Sequence, residues 1–111
     1  MRNDIQHVIE FVGRHPISSD QILTKLQASG SGPEGIRPED LYPYDQDHYG
    51  GLSANDTLAK LARIEPGTRV ADFCAGLGGP ARYFAHRYGA VVTGIELTST
   101  RVEGAQDLTR R

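Results

Sequence analysis

One run of residues, 70–80, constrains this chain more than any other feature. It is an apolar, strand-like segment that ends in a glycine-rich turn containing Gly76 and Gly78, and a helix-favouring segment follows it. Glu96 lies near the end of a second strand-like run, 18 positions after Gly78. Doubly wound α/β folds hold adenosine-bearing cofactors with this order of strand, glycine-rich turn, helix and later acidic residue. We therefore predict an α/β fold with a cofactor crevice at the turn.

The spacing of apolar residues predicts the remaining elements. Helices over 4–12 and 19–28 would form a small helical cap. Residues 36–49, which contain prolines and several acids, are predicted to be an irregular, solvated linker. Farther along, the pattern predicts a helix over about 53–64, strands over 68–73 and 91–97, and helices over 80–88 and from 98 onward. The prediction is thus a partial doubly wound (Rossmann-like) parallel sheet preceded by a helical cap.

The residues at the two strand ends have specific predicted roles. Gly76 and Gly78 let a cofactor approach the backbone, and the helix after them directs free amides toward it. Asp72 either bonds the amino group of an amino-acid moiety or caps the turn amides, and both roles remain open. Glu96 accepts two hydrogen bonds from a vicinal diol, because a carboxylate offers two acceptor oxygens. The alternative for Glu96 is an ordinary surface glutamate.

Several other side chains are secondary candidates. His48 and Tyr49 precede two glycines and either line the pocket or belong to an exposed loop. Cys74 is predicted to be a small packed residue rather than a nucleophile. Arg82 and Arg87 are predicted to lie on the solvated side of their helix. The histidines show no metal-ligand spacing, so we predict no metal site.

Composition excludes some classes of function. The chain has 111 residues with 12 basic and 14 acidic side chains, a net charge of −2, and no dense basic stripe. We therefore predict that nucleic acid is not the primary ligand. No apolar run approaches the roughly 18 residues of a membrane span, so we expect no membrane association. A single cysteine allows no intrachain disulfide, and with no secretory signal pattern we expect a cytoplasmic protein.

Two segments resemble motifs of the class I S-adenosylmethionine-dependent methyltransferases. Residues 70–78 resemble the first motif of that family, and 79–83 continue as in many of its small-molecule members. Residues 91–97 resemble its second motif. Residues 45–51, Asp-Gln-Asp-His-Tyr-Gly-Gly, are similar to a segment that precedes the first motif in the subgroup acting on amines and similar metabolites, where it folds over the cofactor. The family usually has glycine at the position of Cys74.

This resemblance implies a function and a set of site residues. The cofactor would be S-adenosyl-L-methionine, the partner a small-molecule methyl acceptor, and the catalytic base is not indicated beyond His48 and Tyr49 as candidates. Glu96 would bind the ribose. The residues that the resemblance and the pattern together assign to cofactor binding are His48, Tyr49, Asp72, Gly76, Gly78, Glu96 and Leu97.

The family's later strands do not occur in these residues. We therefore expect the N-terminal part of a methyltransferase, inactive in isolation, with a helical cap over 1–30, a linker and cofactor-covering segment over 31–52, and the first half of the Rossmann-like domain over 53–111. The exposed sheet edges would favour a homo-oligomer.

Two other functions fit parts of the pattern. A nicotinamide-dinucleotide-binding oxidoreductase would also use the G-x-G-x-x-A pattern of residues 76–81. In such proteins the glycines follow the strand more immediately, and Asp72 would have no evident task. The remaining alternative is a cofactor-binding or self-associating module without turnover.

Overall fold

The computed structural model describes residues 2–14, 17–32 and 34–111, in which six helices and two strands follow one another. The elements are α1 Arg2–Gly13, α2 Ser19–Ala28, α3 Pro38–Asp45, α4 Gly51–Leu61, β1 Arg69–Phe73, α5 Gly79–Tyr88, β2 Val91–Ile95 and α6 Ser99–Arg110. Every predicted helix and strand is present, with ends that differ by a few residues.

The two strands pair in parallel, with Arg69 opposite Val91 and Phe73 opposite Ile95. Helix α5 connects them, beginning after Gly78 and ending at Gly89, both with positive φ angles of 78° and 67°. One face of the sheet is covered, because Val70 and Val92 pack against a cluster from α4, α5 and the residue just before β2. That cluster consists of Ala59, Tyr83, Phe84 and Ala90. The structure is thus the predicted partial α/β arrangement.

A second apolar cluster joins the N-terminal helices to the glycine-rich turn. Its buried residues are Ile22 and Leu26 of α2, Leu41 of α3, Leu77 of the turn and Leu108 of α6. Helix α2 therefore packs on α3 and α6, while Ser18 caps its start by accepting a bond from the Gln21 N–H. The turn itself is anchored in this core through Leu77, which is 5% exposed.

The prediction of an irregular, solvated linker over 36–49 is wrong, because α3 occupies most of it. Pro38 fits the first helical turn, where its missing N–H costs no hydrogen bond. The Asp40 carboxylate closes the same end, because it accepts from the Arg37 backbone N–H and from the Arg37 guanidinium, both at 3.0 Å. Tertiary packing then stabilises the short helix, since Leu41 and Asp45 are each only 2% exposed. Pro43 lies inside α3, so packing outweighs the local preference against helix.

The described residues contain no helix with both the length and the apolar character needed to cross a bilayer.

Candidate functional site

The glycine turn, residues 74–79, leaves β1 in a conformation that few side chains tolerate. Cys74, Gly76 and Gly78 all have positive φ, at 60°, 57° and 78°. An L-residue costs about 1–2 kcal/mol in this region, which explains glycine at two of the three positions. The Ala75 N–H donates to the Ile95 carbonyl at 3.1 Å, so the turn is fixed to the end of β2. Cys74 is exposed, not packed as the sequence analysis predicted.

Glu96 follows β2 and turns its carboxylate onto the glycine turn. Its Oε2 accepts from the Gly76 N–H at 2.8 Å, and its Oε1 accepts from the Thr98 N–H at 3.0 Å. Burial raises the pKa of Glu96, but the amides of Thr98, Gly76 and Leu97 and the charge of Arg101 outweigh it and hold the pKa below its usual value. Glu96 is therefore ionised at neutral pH. Each oxygen keeps a further lone pair for an outside donor.

Asp72 lines a cavity next to the glycine turn. Its Oδ2 is buried and makes no hydrogen bond among the described residues. Burial raises the pKa of Asp72, and the nearby His48 opposes that rise. The cavity has a volume of about 350 Å³, and its lining includes His48, Tyr49, Asp72, Cys74, Gly76 and Arg101. The alternative role for Asp72, capping the turn amides, receives no support from any bond to the turn.

A second cavity of about 550 Å³ lies between α5 and α6. Gly76, Gly78 and Glu96 line it, so Gly76 borders both cavities. Leu97 lines neither and is 66% exposed just beyond β2. The structure thus brings six of the seven predicted residues to two adjoining cavities, and Leu97 is the exception.

The covering segment, residues 45–50, lies against the glycine turn. His48 approaches the Tyr49 carbonyl oxygen at 3.0 Å through Nδ1 and Gln46 Oε1 at 3.1 Å through Nε2. Both partners are acceptors, so a neutral ring can donate to only one of them at a time. Asn55, which is 1% exposed, donates to the same Gln46 oxygen at 2.7 Å and fixes it. The Tyr49 ring is fully exposed.

Two ion pairs join the covering segment to the rest of the site. Asp45 pairs with Arg82 at 3.2 Å, with side chains 0% and 10% exposed, and Asp47 pairs with Arg101 at 2.9 Å. The Arg101 guanidinium lies beside the turn, since a Cβ on Gly76 would be 3.6 Å from its Nη1. The prediction of a solvated Arg82 is wrong. The spacing within α5 places Arg82 outside the apolar stripe of that helix. The sequence does not indicate that α3 and α6 contact Arg82 there. Arg87 is exposed, as expected.

Among the residues that the structure describes, no group of three His, Cys, Asp or Glu side chains is arranged to hold a metal ion.

No protein-family model matches the chain. The chain is 39% identical over 54 residues to sterol methyltransferase-like 1 of Botryococcus braunii, covering 49% of this chain and 14% of that protein. It is 43% identical over 53 residues to the glycine/sarcosine/dimethylglycine N-methyltransferase of Actinopolyspora halophila, covering 48% of this chain and 9% of that protein. The chain thus spans a small part of the curated relatives that it matches.

The fold agrees with a solved methyltransferase. Phosphoethanolamine N-methyltransferase 2 of Haemonchus contortus, solved with phosphomonomethylethanolamine and S-adenosylhomocysteine, superposes with a TM-score of 0.55 at 25% identity. The match covers 85% of this chain and 22% of that structure. These findings confirm the resemblance to class I S-adenosylmethionine-dependent methyltransferases and the partial Rossmann-like fold. The similarity concerns part of the methyltransferase fold.

Proposed function

We propose that this chain forms the S-adenosyl-L-methionine-binding part of a methyltransferase that acts on a small molecule. One observation supports this more than any other. The ionised Glu96 carboxylate accepts from the Gly76 N–H, and Asp72, whose buried Oδ2 has no hydrogen-bonding partner among the described residues, lines a cavity that borders the same glycine. Glu96 can accept hydrogen bonds from the ribose hydroxyls, and Asp72 can accept one from an amino group. These two carboxylates, with glycine backbone between them, match the polar groups of S-adenosyl-L-methionine.

The residues present fit that cofactor. Asp72 would accept from its amino group, Glu96 would accept from the ribose hydroxyls, and the backbone at Gly76 and Gly78 would let it approach. Exposed Leu97 would provide an apolar surface for the adenine. When bound, the cofactor supplies an electrophilic methyl group on a sulfonium. The chain's own residues then contribute binding, orientation and exclusion of water.

The covering segment would exclude water above the turn. The His48 ring lies there within hydrogen-bonding distance of the Tyr49 carbonyl and of the Gln46 side-chain oxygen, which itself accepts from Asn55. We assign no general base, and His48 and Tyr49 are the candidates in reach of the cavity. In this proposal residues 1–30 form the helical cap, 31–52 contain the covering segment, and 53–111 hold the cofactor.

The methyl acceptor is proposed only as a class. The relatives are named for a sterol-type reaction and for glycine, sarcosine and dimethylglycine, which are chemically dissimilar. These methyl acceptors have in common only that they are small molecules. We therefore propose a small molecule as the methyl acceptor of this protein.

Calorimetric titration with S-adenosylhomocysteine tests the proposal. We expect binding by the wild-type chain and a loss of about 1.5–3 kcal/mol in Glu96→Gln, the value of a hydrogen bond to a charged group. Glu103→Gln, an exposed acid on α6, is the matched control and should bind as the wild type does. Equal affinity of Glu96→Gln and wild type, absent binding by the wild type, or tighter binding of NAD would each reject the assignment.

A further inference from the structure

We propose that Arg82 is a positioning residue for cofactor binding, and this inference rests on the function proposed for the glycine turn. Its guanidinium ties together three segments that are distant in sequence: the covering segment, the glycine turn and α6. These three carry or flank the groups that would contact the cofactor. Arg82 borders the larger cavity but not the smaller one, and its role is to fix the other residues.

The contacts of Arg82 use both terminal nitrogens. Nη2 donates to the Leu77 carbonyl at 2.7 Å and to Asp45 Oδ2 at 3.2 Å. Nη1 donates to Thr109 Oγ1 at 3.1 Å and to the Ala105 carbonyl at 3.3 Å. Only a planar fork of donors can reach acceptors on three segments at once, so lysine cannot replace it fully.

The partner of Arg82 in the covering segment is entirely buried. The Asp45 side chain is 0% exposed and also accepts from Gln46 Nε2 at 2.8 Å. A buried ion pair is a weak source of net stability, because desolvation offsets the attraction. What such a pair does supply is a fixed position, since each charge is strongly disfavoured without the other. The pair therefore holds the end of α3 at one place beside the turn.

Close packing at Gly79 holds the same contact by a second means. A Cβ on Gly79 would lie 1.9 Å from the Asp45 carbonyl oxygen and 2.7 Å from the Asp45 carbonyl carbon. Gly79 is the first residue of α5 and has no positive φ, so alanine suits its backbone there. The substitution Gly79→Ala would thus displace Asp45 while both charges remain. Asp47, His48 and Tyr49 follow directly and would move with it.

Hydrogen exchange followed by mass spectrometry tests this role without a ligand. In Arg82→Lys and in Gly79→Ala, we expect the amides of Tyr44 and Asp45, in the last turn of α3, to exchange at least about tenfold faster, while those of β1 and β2 change by less than about threefold. The affinity for S-adenosylhomocysteine, measured on the same variants, should fall by about tenfold or more. Arg87→Lys on the exposed side of α5 and Gly32→Ala, where a Cβ meets nothing within 4 Å, are the matched controls.

The outcomes separate this inference from the proposed function. Uniformly faster exchange in all segments would show that Arg82 only stabilises the fold, and unchanged exchange in the last turn of α3 would remove the inference altogether. Selective exchange with unaltered ligand affinity would also overturn it. If the wild-type chain binds no S-adenosylhomocysteine, the proposed function fails, and selective exchange must then be assigned to structure alone, which also overturns the inference.

Discussion

Asp72 shows at the scale of one residue how a binding role opposes stability. Its Oδ2 is buried without a partner among the residues that the structure describes, and burial raises the pKa of the carboxyl. A carboxyl whose pKa is raised by folding destabilises the folded state at pH values where it must ionise. Such a group persists in functional sites, where affinity for a ligand compensates for lost stability.

We predict that Asp72→Asn makes the free chain more stable at neutral pH and weakens cofactor binding. The gain should be roughly 0.5–2 kcal/mol, the usual range for substitutions that relieve a functional site. Because folding raises the pKa of Asp72, the wild type is relatively most stable below the ordinary value of about 3.9 and loses stability as pH rises through the raised value. The gain in stability of Asp72→Asn over the wild type should therefore develop as pH rises from the ordinary pKa to the raised pKa of Asp72.

Urea denaturation of both proteins between acidic and neutral pH measures this difference. The acidic end is the internal control, since a protonated aspartate and an asparagine are both neutral there. Equal stability of the two proteins at pH 7, or an advantage of the variant that persists unchanged at acidic pH, would contradict the pKa of Asp72 as its cause.

Sequence alone could identify the residues that act through local pattern. Gly76, Gly78 and Glu96 are recognisable because strand ends and positive-φ turns are local features, and the structure places them together. Arg82 and Asp45 could not be found, since they are 37 positions apart and meet only through packing of α3 on α5. The role of Arg101 could not be predicted either, because its ion pair with Asp47 depends on where α6 begins.

At the scale of elements, α4 and α5 are held together by a carboxylate between two phenols. Asp56 on α4 accepts from the hydroxyl groups of Tyr83 at 2.8 Å and of Tyr88. The hydrogen bond from Tyr88, and to a lesser extent that from Tyr83, holds the pKa of Asp56 below its ordinary value. The Tyr83 ring also packs edge-on against Tyr42 with a centroid distance of 5.1 Å. The helix pair thus combines apolar packing with a charged acceptor.

We predict that Tyr83→Phe lowers the free energy of unfolding by about 0.5–1.5 kcal/mol at pH 7, because the ring stays and one hydrogen bond is lost. A carboxylate with a lowered pKa contributes stability above its ordinary value near 3.9, and the contribution is lost as pH falls through the lowered value. The difference between the variant and the wild type should therefore shrink under acid.

Chemical denaturation at neutral pH and near pH 3 would measure both effects. Tyr49→Phe, which changes a fully exposed ring, is the control and should leave stability unaltered. A deficit for Tyr83→Phe that is equally large at both pH values would contradict the part assigned to Asp56.

Element prediction succeeded where apolar spacing and end signals agreed. Helix α5 has both, with glycine at each end and an apolar stripe between. Helix α3 has neither a clear stripe nor a proline-free interior, and its stability comes from contacts that the sequence does not display. Such short, packing-dependent helices lie beyond what periodicity can predict.

At the scale of the whole molecule, one face of the two-stranded sheet has no cover among the described residues. Its apolar side chains include Phe73, Val91 and Ile95, with exposed fractions of 70%, 59% and 43%, whereas Val70 and Val92 on the other face are half-buried. A parallel sheet is normally covered on both faces, and an exposed apolar face favours association. We therefore predict that this chain self-associates through that face.

A lysine at Val91 tests this prediction at the strand end opposite the candidate site. Val91→Lys adds a positive charge to the face of each copy, so a symmetric contact would bring like charges together and the association constant should fall at least about tenfold. Sedimentation velocity over a range of concentrations measures it. Val8→Lys on α1, with a similar exposure of 52% but away from the sheet, is the matched control. A wild-type chain that stays monomeric, or equal effects of the two substitutions, would show that the uncovered sheet face does not drive association.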